Sequence, residues 1–226
     1  MNANRPELES RARQSRGASG EAIHALVEAL VAERHAGGGV LADVGCGTGA
    51  LCRRLGPRFS RCLGVDTVRY EGLDESVEFV MHDLDRPDIP LPDGCANVVA
   101  AVETIEHLEN PWAFGRELAR LAAPGGWVVV TTPNQLSVLS KTTLVLKNAF
   151  NAFQTASYPA HRTALLEVDL RRIVAEAGLV DAEVRYSGEG RIPFTGAHYP
   201  RVLGRLAPRA CSDNVAIVAR KPEPGA

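Results

Sequence analysis

The stretch VLADVGCGTGA, residues 40–50, decides the fold of this chain. The apolar run at its start predicts a short buried strand, and a helix is expected to begin near Ala50. The glycines between them have no Cβ, so they let the backbone bend sharply and approach a ligand closely. The stretch therefore predicts a strand, a ligand-binding turn and a helix in direct succession.

The same alternation of strand and helix continues beyond this stretch. Further strands are predicted at the apolar runs 61–65, 77–81, 97–102 and 127–132. Before the last run, Pro111 opens a predicted helix that Asn110 caps and Gly125-Gly126 ends. Strands separated by helices indicate a doubly wound α/β fold, in which a mostly parallel sheet carries helices on both faces.

One connection in this series is unusually short. Only TVRYEGLDES separates Asp66 from Val77. A crossover between parallel strands needs a dozen or more residues to include a helix. We therefore expect a loop or a single turn at this point.

The predicted domain covers residues 19–221. Ser19 is expected to cap a first helix and Thr163 a later one, and two late strands are expected near 180–186 and 214–220. Three further segments are distinguished by their composition: a flexible N-terminal arm (1–18), an insertion suited to act as a lid (135–162) and a disordered tail (222–226).

Composition and charge exclude several classes of protein. The 226 residues are 45% hydrophobic and 23% charged, as in ordinary globular proteins. A net charge of -2 makes a nucleic-acid partner unexpected. The chain has no membrane-spanning run and no secretory signal in its N-terminal residues, so a cytoplasmic location is expected. Five cysteines without a C-x-x-C pair favour reduced thiols and exclude a zinc finger.

The chemistry of the glycine turn narrows the choice of ligand. Gly45, Gly47 and Ala50 fit a dinucleotide fingerprint, and Asp66 stands where a ribose-binding carboxylate is expected. Asp43, however, precedes the glycines, where its carboxylate would repel a pyrophosphate and attract an ammonium or a sulfonium. S-adenosylmethionine carries both cations and no phosphate. A nicotinamide cofactor remains the alternative.

At these residues the chain resembles the class I S-adenosylmethionine-dependent methyltransferases, in particular the subgroup that contains the ubiquinone-biosynthesis O-methyltransferases. The resemblance runs from about Ala22 to Ala219. The segments that carry it are DVGCGTG, LGVD, MHDLD, VETIEHLENP and LAAPGGWVVVTTPN. It implies a Rossmann-like sheet of seven strands that ends in an antiparallel hairpin made by the two late strands.

The resemblance also implies which residues contact S-adenosylmethionine. The residues of the glycine turn would surround the methionine moiety, Asp66 would hold the ribose hydroxyls, and Asp83 with Leu84 would contact the adenine amine. Val102 and Glu103 would face the methionine end. The full predicted set is Asp43, Gly45, Cys46, Gly47, Gly49, Asp66, His82, Asp83, Leu84, Val102 and Glu103.

A second group of polar residues follows the fourth predicted strand. If a helical turn begins there, Glu103, Glu106 and His107 share one face, because they are spaced by three and four residues. His161, before the helix that Thr163 is expected to cap, can return to the same end of the sheet. His107 and His161 are therefore the candidate general bases for deprotonating a methyl acceptor.

The same four residues resemble the metal site of the small-RNA 2'-O-methyltransferases, which has two Glu and two His. Mixed carboxylate and imidazole ligands suit divalent Mg, Mn or Zn. The structural alternative has Glu103 turned to the cofactor, Glu106 capping or solvated, and His107 bonded to backbone. The metal is thus a second hypothesis beside the general base.

These features predict a single-domain methyltransferase that uses S-adenosylmethionine, gives S-adenosylhomocysteine and acts on a small-molecule acceptor, with oxygen as the favoured acceptor atom. The alternatives are an NAD(P)-dependent oxidoreductase and a non-catalytic subunit that only binds S-adenosylmethionine. The sequence leaves the acceptor and the oligomeric state open.

Overall fold

A computed structural model describes Ser10, Gly17 and residues 19–225. Seven strands form one sheet: β1 (Val40–Val44), β2 (Arg61–Asp66), β3 (Val77–Met81), β4 (Ala96–Ala101), β5 (Ala122–Pro133), β6 (Val180–Tyr186) and β7 (Asn214–Arg220). The spatial order is β3-β2-β1-β4-β5-β7-β6. Strands β1 to β5 are parallel, and β7 is antiparallel to both of its neighbours. This confirms the predicted seven-stranded, mostly parallel sheet.

Helices cover both faces of the sheet. They are α1 (Glu21–Arg34), α2 (Ala50–Leu55), α3 (Pro111–Leu121), α4 (Val138–Lys147), α5 (Glu167–Glu176) and α6 (Arg201–Leu206). Apolar side chains of α1 and α2 pack with Leu41 of β1. Those of α3 and α5 pack with Ala42 and Val44 of the same strand. Since successive strand residues point to opposite faces, the two helix pairs lie on opposite sides of the sheet.

Burial of these faces stabilises the fold. Leu118 and Leu121 of α3 are fully buried under the sheet. Burying such a side chain contributes about 1.5 to 3 kcal/mol. The helix begins as predicted, with Pro111 in its first turn and the Asn110 Oδ1 accepting from the Ala113 amide at 3.0 Å.

Two predicted helix caps are wrong. Helix α1 begins at Glu21 after Gly20, so Ser19 does not cap it. Helix α5 begins at Glu167 after Leu166, not at Thr163. The Thr163 hydroxyl instead donates to the Leu108 carbonyl at 2.7 Å, because the chain is still extended there and lies against the loop after β4.

Other boundaries also differ from the predictions. Helix α3 ends at Leu121, and Gly125-Gly126 lies inside the longer strand β5. The insertion 135–162 contains α4 (Val138–Lys147), which Ser137 caps and single 3-10 turns follow. The segment between Asp66 and Val77 contains no helix, as predicted.

The predicted arm 1–18 lies outside the described residues except for Ser10 and Gly17. Gly17 contacts the glycine turn, since its carbonyl accepts from the Thr48 amide at 3.0 Å. Of the predicted disordered tail 222–226, only Ala226 is outside the described part of the chain. None of the helices in that part is long and apolar enough to cross a lipid bilayer.

Candidate active site

A cavity of about 310 Å³ opens at the carboxyl ends of the parallel strands. This is where ligands bind in open α/β sheets. Its wall contains six carboxylates, Asp43, Asp66, Asp83, Asp85, Glu103 and Glu106. It also contains the imidazoles of His24, His107 and His161, and among the described wall residues there is no Lys or Arg. The cavity therefore suits a ligand with cationic groups.

The glycine turn forms the floor of this cavity. Gly45, Gly47 and Gly49 have φ of 85°, 50° and 74°, a region that other residues rarely adopt. A Cβ on Gly47 would lie 2.2 Å from the Gly17 carbonyl oxygen, so no side chain fits there. Gly45 and Cys46 line the cavity, whereas Gly47 and Gly49 do not.

The two aspartates at the carboxyl ends of β1 and β2 are buried in the wall. The Asp43 carboxylate accepts from the Cys52 thiol at 3.5 Å, and burial raises the pKa of Asp43 to about 7. The Asp66 carboxylate accepts from the Gly47 amide at 2.8 Å and the Thr67 amide at 2.7 Å. Burial also raises the pKa of Asp66. A cation bound here would stabilise the ionised forms of both carboxylates.

Of the three cofactor contacts predicted after β3, two line the cavity and one does not. Asp83 and Leu84 line the cavity. His82 does not, because its Nε2 lies 3.2 Å from the Arg86 carbonyl oxygen, on the exposed side of the loop. The contact of His82 with a cofactor therefore stays a prediction without support from its position.

Glu103 does not share a helical face with Glu106 and His107, contrary to what the spacing of the three residues predicts. The turn after β4 is a 3-10 turn, Ile105–His107, and Glu103 precedes it with a positive φ of 51°. The Glu103 carboxylate accepts from Thr131 Oγ1 at 3.1 Å and Asn214 Nδ2 at 2.8 Å. Burial raises its pKa well above the usual value. Glu103 lines the cavity beside Val102, but β5 and β7 hold its carboxylate.

Glu106, His107 and His161 form a compact group in the cavity wall. One ligand atom from each lies within 4.8 Å of the others. The predicted set of four is therefore reduced to three, without Glu103. The Glu106 carbonyl brings His161 to this point, because it accepts from the amides of Arg162 and Thr163 at 2.9 and 3.0 Å.

The Glu106 side chain is fully buried. Among the described residues, neither of its carboxylate oxygens has a hydrogen bond of good geometry. Burial raises the pKa of Glu106, since the charged form is poorly solvated, and the nearby hydroxyl of Thr132 partly offsets this rise in pKa. Buried polar atoms are normally satisfied, so this carboxyl group is suited to a ligand that supplies a donor or a positive charge.

Backbone carbonyls set the tautomers of both histidines. His107 Nδ1 lies 2.8 Å from the Ala160 carbonyl oxygen, and His161 Nδ1 lies 2.7 Å from the Ala152 carbonyl oxygen. A carbonyl only accepts, so both Nδ1 atoms carry the proton. In the neutral rings Nε2 then has the lone pair. Burial and the nearby His107 lower the pKa of His161, which favours this neutral form.

Five further residues of the cavity wall were not predicted from the sequence, and four of them precede β1. Gly17, Ser19, Gly20, His24 and Tyr70 all line it. His24 is only 7% exposed. One signal was available, because His24 stands next to Ile23 in a stripe of α1 that is otherwise apolar. A polar side chain in such a stripe indicates a contact other than the core.

Comparison with known proteins identifies the family. A family model described as a methyltransferase domain matches residues 12–184. A probable S-adenosylmethionine-dependent methyltransferase of Mycolicibacterium smegmatis is 30% identical over 181 residues, which cover 73% of this chain and 66% of that protein. A solved S-adenosylmethionine-dependent methyltransferase from Archaeoglobus fulgidus shares the fold, with a TM-score of 0.64, 18% identity and coverage of 88% and 94%.

Other relatives match over a shorter region and differ in the acceptor atom. The ubiquinone biosynthesis O-methyltransferase of Bordetella bronchiseptica is 31% identical over 106 residues, 41% of this chain and 42% of that enzyme. The ajmaline N-methyltransferase of Rauvolfia serpentina is 31% identical over 100 residues, 39% of this chain. The match spans about a third of that plant enzyme's length, 34%. Both oxygen and nitrogen acceptors therefore occur among the relatives.

Proposed function

Because this chain belongs to the class I S-adenosylmethionine-dependent methyltransferases, we propose that it transfers the methyl group of S-adenosylmethionine to a hydroxyl oxygen of a small molecule. The observation that carries this proposal is one cavity whose wall contains Asp43 and Asp66 as well as two imidazoles, His107 and His161. We propose that the aspartates form a cofactor half and the imidazoles an acceptor half. The family match gives no support to the nicotinamide-dependent alternative.

The acidic half suits the cofactor. We propose that the ammonium and the sulfonium lie near Asp43 and the glycine turn, the ribose hydroxyls near Asp66, and the adenine near Asp83 and Leu84. The charges support this arrangement, since S-adenosylmethionine has two cationic groups and no phosphate. Asp66 already accepts hydrogen bonds from three backbone amides, and a carboxylate can accept a further hydrogen bond from a ribose hydroxyl.

The carboxylate of the methionine moiety needs a different partner. The ionised members of the six acidic groups in the wall repel it. We propose that His24 holds it, assisted by the amino-terminal end of α1, where Ser19 and Gly20 also line the cavity. Helix α1 has no side-chain cap at Gly20, so its first amides and its dipole favour an anion there.

The half with the two imidazoles suits the acceptor. We propose that Nε2 of His161 or His107 takes the proton of an acceptor hydroxyl as its oxygen attacks the methyl carbon. The new O–C bond forms while the C–S bond breaks, and the sulfonium becomes the neutral thioether of S-adenosylhomocysteine. General bases of this kind contribute typically 10²- to 10⁴-fold to the rate.

Binding and turnover test this function separately. Calorimetry should show that the protein binds S-adenosylhomocysteine and does not bind NAD. Methyl-labelled S-adenosylmethionine, offered with a panel of phenols, catechols and amines, should label a hydroxyl compound. His161→Gln should then lower kcat by at least tenfold with little change in cofactor affinity. Absence of S-adenosylhomocysteine binding would overturn the assignment, and cofactor binding without transfer to any acceptor would favour the non-catalytic subunit.

A divalent metal ion is a second candidate ligand of the same group. Glu106, His107 and His161 offer one carboxylate and two imidazole nitrogens, and the unpartnered Glu106 oxygens fit a cation. A bound ion would act as a Lewis acid on the acceptor oxygen. Metal analysis of the purified protein and calorimetric titration with Mg²⁺, Mn²⁺ and Zn²⁺ test this, with Glu106→Gln expected to abolish binding. If no metal binds the unaltered protein, the histidines act alone.

Two remaining predictions concern the surroundings of the site. We propose that part of the insertion 135–162 covers the acceptor, since Ala160 and His161 line the cavity. Deletion of the insertion would also remove His161, so limited proteolysis with and without S-adenosylhomocysteine is the appropriate test of closure.

A cytoplasmic location, expected from the sequence, stays a prediction.

A further inference from the structure

Helix α6, Arg201–Leu206, packs against the protein through a glycine and leaves its apolar side chains exposed. Its buried residue is Gly204, whose Cβ would lie 2.1 Å from the Gly188 carbonyl oxygen. Val202 and Leu206, two residues to either side, point away from the protein and are 62% and 79% exposed. A surface helix normally turns its polar side to solvent. This helix packs through glycine and exposes its apolar side.

The hairpin before this helix exposes a further large apolar side chain. Residues 191–198 form it, with the Ile192 amide donating to the Ala197 carbonyl at 2.9 Å and Arg191 bridged to His198. Phe194 lies at its tip and is 84% exposed. Since Pro200 begins the next turn directly, the hairpin and α6 form one continuous projecting segment, 191–206.

The segment itself is positively charged. Residues 190–212 include four arginines and no Asp or Glu, although the whole chain has a net charge of -2. Arg191 and Arg209 pair with Asp213 and Glu167. Arg201 and Arg205 are exposed and make no ion pair with any described residue. On α6 these two are four residues apart, so they flank the Val202 and Leu206 side together.

We propose that segment 191–206 docks on the surface of a membrane that contains anionic lipid. Phe194, Val202 and Leu206 enter the boundary between headgroups and acyl chains, and Arg201 and Arg205 contact lipid phosphates. Interfacial helices combine an apolar side with Lys or Arg in this way. The helix lies on the membrane and does not cross it, in agreement with the absence of a spanning helix from the described residues.

The charges disfavour the other occupants of this surface. In a symmetric dimer through the same patch, Arg201 and Arg205 of two copies would face each other, and 190–212 supplies no carboxylate to pair with them. A stable protein interface also buries about 800 Å² on each partner, more than three apolar side chains on a short projecting segment provide. A membrane surface needs only insertion of a few side chains and opposite charge.

Flotation of the full chain with vesicles tests the proposal. One set contains 30% phosphatidylglycerol in phosphatidylcholine and the other phosphatidylcholine alone. We expect binding to the anionic vesicles, weakened by salt, and at least tenfold weaker binding for the double variant Phe194→Ser with Leu206→Ser. Each of Arg201→Gln and Arg205→Gln should weaken binding about fivefold, as about 1 kcal/mol per cation near the surface implies.

Matched variants elsewhere serve as controls. Val168→Ser on α5 removes an exposed apolar side chain, and Arg116→Gln on α3 removes an exposed arginine; both should bind as the unaltered protein does. All variants should keep the thermal midpoint and the affinity for S-adenosylhomocysteine, because the segment lies outside the cavity wall. Equal flotation with both vesicle sets, or full binding by the patch variants, would overturn the proposal. So would a dimer in gel filtration that Leu206→Ser dissociates, without vesicle binding.

Discussion

The rings of His107 and His161 meet edge to face, with their centroids 4.8 Å apart and their planes at 77°. Each ring is anchored through Nδ1 to a carbonyl of the segment 152–160. The Glu106 carbonyl fixes that segment to the turn after β4. Two imidazoles from distant parts of the chain are thereby held as one unit in the wall of the cavity.

The pair predicts an unusually low pKa for His161. Burial and the charge of His107 both disfavour its protonated form, so the ring should titrate below the ordinary value of 6.5. The acidic limb of kcat/KM should accordingly lie below pH 6.5. NMR titration of the His161 ring proton measures this pKa directly, and His107→Gln should raise it. Titration of His161 above pH 6.5 would contradict the prediction.

Replacement of Asp43 by Asn is expected to stabilise the free protein and to weaken its binding of S-adenosylmethionine. The folded protein keeps the Asp43 proton up to about pH 7, whereas the unfolded chain releases it near 3.8. The unfolded state therefore binds fewer protons between these values, and the free energy of unfolding falls as the pH rises. Asp43→Asn should remove this slope and stabilise the protein without cofactor at pH 8 by about 1 to 4 kcal/mol. Urea unfolding at pH 5 and pH 8 measures the change.

The same Asp43→Asn variant should bind S-adenosylmethionine at least tenfold more weakly, since a charged partner contributes about 1.5 to 3 kcal/mol. Methylthioadenosine, which has neither ammonium nor sulfonium, should bind it as well as it binds the unaltered protein. Glu75→Gln, at an exposed carboxylate, is the control. Equal losses for both ligands would mean that Asp43 supports the adenosine and not the cations.

Replacement of His24 is expected to weaken binding only of ligands that carry the methionine carboxylate. Replacement by Leu suits the apolar stripe of α1, so the fold should be retained. His24→Leu should weaken S-adenosylmethionine by about tenfold or more, because the ligand carboxylate loses its partner. Decarboxylated S-adenosylmethionine should bind the variant and the unaltered protein equally. Calorimetry with both ligands decides the matter, and equal weakening of the two would show that His24 does not hold the carboxylate.

Alanine substitutions at Gly47, in the glycine turn, and at Gly72 are expected to differ in their effects on stability, although both glycines have positive φ. Gly47 and Gly72 have φ of 50° and 83°. A Cβ on Gly47 would lie 2.2 Å from the Gly17 carbonyl, whereas none of the atoms described lies within 4 Å of one on Gly72. Gly72→Ala should cost about 1 to 2 kcal/mol from backbone strain alone. Gly47→Ala should cost more and weaken S-adenosylhomocysteine binding. Thermal unfolding and calorimetry compare the two, and identical behaviour would disprove the contact.

The grouping of the aspartates and the glycine turn in the cavity wall is predictable from the sequence. Asp43, Gly45 and Cys46 lie together because they are neighbours on one strand and its turn. Asp66 joins them because the next strand ends at the same edge of a parallel sheet. The position of Glu103 relative to Glu106 and His107 shows where spacing along the chain does not suffice. Its spacing from Glu106 and His107 fits a helix, but β5 and β7 offer Thr131 and Asn214 as partners for its carboxylate.

The sequence by itself determined the order of strands and helices, the glycine turn and the acidic character of the cofactor site, because these depend on local periodicity and on residues close in the chain. Only the tertiary structure decided that His161 joins His107, that His24 enters the cavity and that α6 turns its apolar side outward. Each of these depends on how distant segments pack. Spacing along a chain does not encode such packing, since the partners are chosen by burial and hydrogen bonding in three dimensions.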